Sequence, residues 1–270
     1  MLLFDDGTDQ ILFDCHVTRP SIPTYLFGKM VTNTEVSDRV IKEFKISRLR
    51  AIFISHSHHD HVMDAPYFAI RTGAEIYGSP SALNVARGGG VDEERLHSYK
   101  DCMDYVVGGY QIRIIPSIHS KPNMFNNDLG QTIDTPLVQP ARKQGYKEGG
   151  SFDFLVKNGD KTYLIRPSYN YLEGQLDGIQ ADVLYIGVTG LAKDTQERQK
   201  KFFEETIDKV HPQTVVPVHW DYFFGPLYGK IKGLPAPFDN TKETMRILTE
   251  HCAGKGIHFV IQQPLTTLEF

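Results

Sequence analysis

The chain has 270 residues, 40% of them hydrophobic and 23% charged, with a formal net charge of -4. That length holds one large domain or two small ones and allows burial of about 75% of the unfolded surface, so disorder is excluded as the default state. The short basic groups in PARKQGYK and ERQKK are diluted by acidic or neutral neighbours, so no nucleic-acid partner is expected.

The chain opens on LLF, a DDGTD turn and ILFD, the pattern of a hairpin whose turn uses Asp and Gly. This N-terminus has neither a charged n-region nor an apolar h-region, and no later stretch has the apolar length of a membrane span. Cys15, Cys102 and Cys252 are far apart and lack CxxC spacing, which fits reduced thiols buried as small hydrophobes. A cytoplasmic protein without membrane association is the expectation.

VSDRVIKEFK spaces Val36, Val40, Ile41 and Phe44 on one helical face, and RAIFIS follows as a buried strand. DAPYFAIRTG predicts a helix, AEIYG a strand, PSALNVAR a helix, and DYVVGG with YQIRIIPSIH a strand pair. Periodicity then disappears from about 120 to 150, and a loop of that length is usually a lid or binding loop. SFDFLVKNG, KTYLIRP and ADVLYIGV predict strands, DTQERQKKFFEETIDKV a helix and TVVPVH a strand. A last helix begins at Asn240, with Glu243 completing a capping box and Gly254 as its stop, before a closing strand IHFVIQ. Both halves alternate strands and helices, so the expectation is an α/β fold in a single domain over 1–270.

ISHSHHDH, residues 54–61, concentrates four histidines and an aspartate behind the apolar strand RAIFIS. Side chains two apart face the same side of an extended segment, so His56 and His58 can grip one ion together. Asp60 and His61, just beyond the turn, can reach a second ion. Zinc takes imidazole nitrogen and carboxylate oxygen and needs three or four protein ligands, so other histidines should arrive at other strand ends. IIPSIHS delivers His119 and VVPVHWD delivers His219, each after an apolar strand.

With His56-x-His58-x-Asp60-His61 followed by His119 and His219, the chain resembles the metallo-β-lactamase fold superfamily of metallohydrolases over nearly its whole length. The resemblance implies a four-layer αββα sandwich, with the 120–150 loop at the active site. It assigns His56, His58 and His119 to one zinc and Asp60, His61 and His219 to a second, with manganese or iron as other candidate metals. Asp14, ending ILFD, matches an early aspartate that supports the metal loop. Many members carry a bridging aspartate after a central strand, where this chain has Ser168. Serine is a poor ligand, which puts occupancy of the second ion in question, although one β-lactamase subclass also lacks the bridge. Asp221, two residues past His219, is either a replacement carboxylate, a support for the ligands, or an ordinary turn residue.

Such a site implies hydrolysis by a zinc-activated hydroxide, oriented by the catalytic residue Asp60, of a small-molecule ester, lactone or amide. Tyr169 or Tyr222 is a candidate substrate contact or proton donor for the leaving group. Tyr146, Tyr171 and Trp220 are further candidate pocket walls, and Lys143, Lys147 and Arg166 candidate partners for an anionic group. The second half, with YLEG and HWD, resembles cytosolic members related to ascorbate-phosphate lactonases. Alternatives are a phosphodiesterase of the same fold, a β-lactamase, a di-iron redox protein, or a metal-binding protein without catalysis. A glutamate is usual at the second position of the di-iron proteins, where this chain has His58. His59 is expected to point away from the metals, His16 has no assigned role, and His97, His211, His251 and His258 are expected to be structural. The oligomeric state is not legible from the sequence.

Overall fold

The computed structural model describes residues 1–99, 104–122, 127–236 and 239–270; Cys102 and positions 123–126 of the long loop lie outside the described residues. β1 (Leu2–Asp5) and β2 (Gln10–Phe13) form the expected hairpin, with Leu2 opposite Phe13. Its turn is held by the Asp6 carboxylate, which accepts the N–H groups of Thr8 (2.9 Å) and Asp9 (2.7 Å). A short helix that apolar periodicity does not reveal follows, α1 (Ile22–Phe27), capped by Ser21 and with no buried residue to leave a pattern. α2 (Thr34–Glu43) starts two residues before its first apolar position because the Asn33 side chain accepts the Val36 N–H at 3.1 Å.

β3 (Leu49–Phe53) leads into α3 (His59–Val62), α4 (Ala65–Thr72), β4 (Glu75–Gly78) and α5 (Pro80–Gly88). A three-residue strand not anticipated, β5 (Leu96–Ser98), pairs with β4. β6 (Asp104–Val107) and β7 (Tyr110–Ser117) are the expected antiparallel pair. Among the described residues from 118 to 150, regular structure is limited to a 3₁₀ turn at Lys143–Gly145 and a bridge between Met30 and Ala141.

β8 (Ser151–Asn158), β9 (Lys161–Arg166) and β10 (Val183–Gly187) follow. The long helix predicted over 194–210 is broken into α6 (Gln196–Glu205) and α7 (Ile207–Val210), because Thr206 (φ -124°, ψ -86°) leaves the helical region. After β11 (Thr214–Val218), α8 (Thr241–Lys255) runs past Gly254 and stops at Gly256, whose φ of +70° is the left-handed cap that glycine favours. The closing strand shrinks to β12 (His258–Phe259).

The fold is mixed α/β, with two sheets flanked by helices. One sheet has strand order β1-β2-β3-β4-β5 and the other β12-β11-β10-β9-β8-β7-β6. Strands β2 to β5 run parallel, as do β9 to β12. The described residues fall into two compact units, Met1–Ile114 with Pro122–Phe152, and Ile115–Lys121 with Asp153–Phe270. In the first, Ile11, Leu12, Phe13, Ile52, Phe53, Phe68 and Ile76 form a core that water does not reach. In the second, Leu164, Leu184, Ile186, Phe202, Ile207, Val215, Leu248 and Cys252 cluster. Fully buried parallel strands read as continuous apolar runs, as VLYIG does, and β3 follows the same rule except at the exposed Arg50. Among the described residues no helix is long and apolar enough to cross a membrane.

Candidate metal centre

The buried end of β3 runs into an extended segment, and His58 (φ -65°, ψ 151°) turns it into α3. Alternation along this segment separates its side chains. Ser57 faces the long loop, its hydroxyl donating to the Lys147 carbonyl at 2.6 Å, while the rings of His56 and His58 lie 4.8 Å apart. The turn then brings the His61 ring within 3.8 Å of His56. His56, His58 and His61 are all buried.

Three carboxylates organise this loop. Asp14 sits at φ +53°, a left-handed conformation that Asp tolerates better than most residues. From there its Oδ1 accepts the Ser55 N–H at 2.7 Å, and its Oδ2 accepts the Ser55 hydroxyl at 2.9 Å and pairs with His61 Nδ1 at 2.6 Å. Engaging Nδ1 turns His61 Nε2 toward Asp60, 3.6 Å from Oδ2. Asp128, which no sequence pattern marks, meets His58 Nε2 at 3.1 Å and accepts the Glu148 N–H at 3.2 Å, so Nδ1 becomes the nitrogen of His58 that can serve an ion. Glu148, itself buried, closes the loop by accepting from Gly130 and Gly150 N–H groups and the Ser151 hydroxyl.

His119 follows β7. Its Nδ1 lies 3.0 Å from the Ser120 carbonyl, and its own carbonyl accepts from Asn170 Nδ2 at 2.7 Å. His219 follows β11 at φ +59°, with Nδ1 3.1 Å from the Thr189 hydroxyl. His56, His58 and His119 each offer one ligand atom, all within 4.8 Å of one another, and Asp60, His61 and His219 do the same. Five imidazoles and one carboxylate are a donor set suited to a borderline transition-metal ion. Oriented rings held by carboxylates and carbonyls are what such an ion requires around it.

Ser168 and Asp221 belong to neither trio. Ser168 forms the turn after β9, its carbonyl accepting the Asn170 N–H at 3.1 Å. The backbone there passes so close to Gly187 that a Cβ on that glycine would lie 2.1 Å from the Pro167 carbonyl oxygen. Asp221 forms a β-bridge with Gly233. The Tyr169 hydroxyl donates to Asp194 at 3.2 Å, and burial together with that carboxylate pushes its pKa up. Tyr222, half-buried, has its ring 5.8 Å from Phe224.

One expectation, for Arg166, needs correction. Arg166 is buried, pairs with Asp153 at 3.4 Å and donates to the Asn170 carbonyl at 3.1 Å, so it is a structural cation and not a receptor for an anionic substrate group. His97 and His251 have partners, Glu75 at 3.1 Å and Asp208 at 2.8 Å. His59 is in ring contact with His16, Tyr25 and Tyr146. Burial, then His59, holds the His16 imidazole well below the ordinary histidine range.

The model of the metallo-β-lactamase superfamily matches residues 3–142, more than half of the chain, and the chain belongs to that superfamily. Solved structures share the fold at low identity. The isothiocyanate hydrolase from Delia radicum gut bacteria is 14% identical, with a TM-score of 0.60, over 99% of this chain and 95% of its own. The metallo-β-lactamase fold protein YhfI from Bacillus subtilis is 13% identical, with a TM-score of 0.57, over 97% and 88%. Igni18, a metallo hydrolase from the archaeon Ignicoccus hospitalis, is 15% identical, with a TM-score of 0.56, over 99% and 94%. A search of curated proteins found no match. The chain is a metal-dependent hydrolase of this superfamily.

Proposed function

We propose that the chain is a zinc-dependent hydrolase that cleaves a small ester, lactone or amide in the cytoplasm, with two zinc ions held by the two trios. The observation that carries the reading is the pair of trios itself, five imidazoles and one carboxylate with each set of ligand atoms inside 4.8 Å. His58 at the second position supports zinc over a redox pair of irons, because imidazole suits zinc at a site without oxygen-rich ligands. Without a carboxylate at Ser168, the trio of Asp60, His61 and His219 is the weaker of the two sites.

When bound, zinc supplies Lewis acidity and lowers the pKa of a water it binds to about 7. The chain's own residues do the rest. Asp60 orients the attacking water and takes up its proton. Asp14 and Asp128 fix the rings of His61 and His58, so that little reorganisation accompanies the reaction. Tyr169 is committed to Asp194, which favours a role in shaping the site and leaves Tyr222 or Asp60 to protonate the leaving group.

The test is metal quantification paired with a panel of esters, lactones, amides and phosphodiesters, for the natural protein and His119→Ala. The natural protein is expected to hold two zinc ions and turn over an acyl substrate, and the variant to lose one ion and most of the activity while keeping its fold. Unchanged metal content and turnover in the variant would refute the ligand assignment. Two irons per chain would sink the zinc reading, and turnover confined to phosphodiesters would overturn the acyl class.

A further inference from the structure

Beside the metal loop, α1 carries a side chain that neither trio uses. The Tyr25 ring lies 5.1 Å from the ring of His59, and the Nδ1 of His59 lies 3.5 Å from Asp60 Oδ1. His59 thus serves as a platform between Tyr25 and the metal-ligating carboxylate. The Nζ of Lys143, from the long loop, sits over the Tyr25 ring, 4.7 Å from its centre, at a distance suited to a cation–π contact. Burial, then the charges of Asp60 and Asp128, pushes the Tyr25 phenol up to about 12, so it remains a hydrogen-bond donor at neutral pH and lies within the electrostatic reach of both carboxylates. All these residues belong to the first compact unit.

We propose that Tyr25 and Lys143 form a subsite that binds a carboxylate on the substrate, away from the bond to be cleaved. The subsite rests on the hydrolase reading for its purpose, since it would select acyl substrates that bear a second, anionic end. One O–H and one ammonium offer two donors with a net positive charge, the complement of a two-oxygen anion. Asp60 and Asp128 set the limit on that charge. Two nearby negative groups make a monoanionic carboxylate less costly to accommodate than a phosphate dianion. The ring face also restricts the Lys143 side chain, so less rotamer freedom is lost when the ligand arrives.

The experiment is equilibrium binding, by calorimetry on the zinc-loaded full chain, of glutarate against glutaramate. Both keep one carboxylate for the metal ions and differ only at the far end, a carboxylate in one and a neutral amide in the other. Glutarate is expected to bind roughly tenfold more tightly to the natural protein, as a charge-assisted hydrogen bond allows. Lys143→Met is expected to bring that ratio to about one, and Tyr25→Phe to weaken glutarate by roughly three- to tenfold. Zinc content is expected to be unchanged in both variants, which also reports that the metal loop is folded.

A ratio near one in the natural protein, or a ratio that survives Lys143→Met, overturns the subsite. So does loss of zinc from either variant, which would make the pair a support of the metal loop. Phenyl phosphate is the third probe. If it binds more tightly than glutarate and loses that advantage in Lys143→Met, the site takes phosphate and the carboxylate assignment falls. None of these readouts needs turnover. A protein that hydrolyses nothing in the acyl panel but retains the glutarate preference refutes the reaction and leaves the subsite standing.

Discussion

Asp14→Asn isolates the outer support of the metal centre from the ligands themselves. Asp14 is buried and receives three donors, the Ser55 N–H at 2.7 Å, the Ser55 hydroxyl at 2.9 Å and His61 Nδ1 at 2.6 Å. Asparagine keeps the volume and tolerates the φ of +53°, whereas alanine would add about 1 to 2 kcal/mol of backbone strain that has nothing to do with metal. Either way the amide turns, its NH₂ meets a donor. With NH₂ toward Ser55, a buried backbone N–H loses its acceptor. With NH₂ toward His61, the ring accepts at Nδ1 and moves its proton to Nε2, the nitrogen that faces Asp60. The ion must then displace that proton. Zinc affinity is expected to weaken about 10- to 100-fold, equivalent to ~1.4 to 2.7 kcal/mol, and the metal-free fold to lose about 1 to 3 kcal/mol. Competition with a chelator of known affinity reads the first, and urea unfolding of the chelated protein reads the second. Zinc affinity within twofold of the natural protein would refute the argument that Asp14 sets the His61 tautomer.

Two further outcomes follow from buried charge. Arg166→Met strands the Asp153 carboxylate and is expected to cost about 3 to 5 kcal/mol in urea unfolding, with Asp153→Asn added to it recovering part of the loss; a melt displaced by less than about 1 kcal/mol would contradict the structural assignment of the pair. Burial opposes ionisation of Asp194, but its hydrogen bonds from Arg198 and the Thr195 N–H, with the Lys121 charge, hold its pKa below the usual carboxylate range. A lowered folded-state pKa contributes stability that is present above the unfolded-state value and is lost as pH falls toward the folded-state value. Asp194→Asn is therefore expected to flatten the acid limb of stability below the ordinary carboxylate pKa, and an unchanged limb in pH-dependent thermal melts would remove Asp194 from the account.

Much of the architecture is legible in the chain because it is local. VLYIG and TVVPV are apolar runs of strand length, LRAIF is one interrupted only by Arg50, and Asn240 with Glu243 announces the start of α8. What escapes is equally local but carries no period. α1 buries nothing, β5 has three residues, and the break at Thr206 interrupts a helix whose apolar pattern continues through it.

The histidines divide in the same way. HSHHDH declares itself by composition and by its position behind a buried strand, and His119 and His219 repeat that grammar, so the donor types were legible in the chain itself. Which groups hold those donors was not. Asp128 lies 70 residues from His58 in an irregular loop, Thr189 30 residues from His219, and Asn170 51 residues from His119. No periodicity links such pairs. Arg166 illustrates the opposite error, a cation that looks available in the sequence and is enclosed with Asp153 in the fold. His59 changes in the same direction, from a spare histidine to the ring on which Tyr25 rests. Sequence fixes which atoms can bind a metal because ligand chemistry belongs to the side chain. Tautomer, orientation and the recognition of a substrate's far end depend on contacts between segments remote in the chain, and those exist only once the tertiary structure has formed.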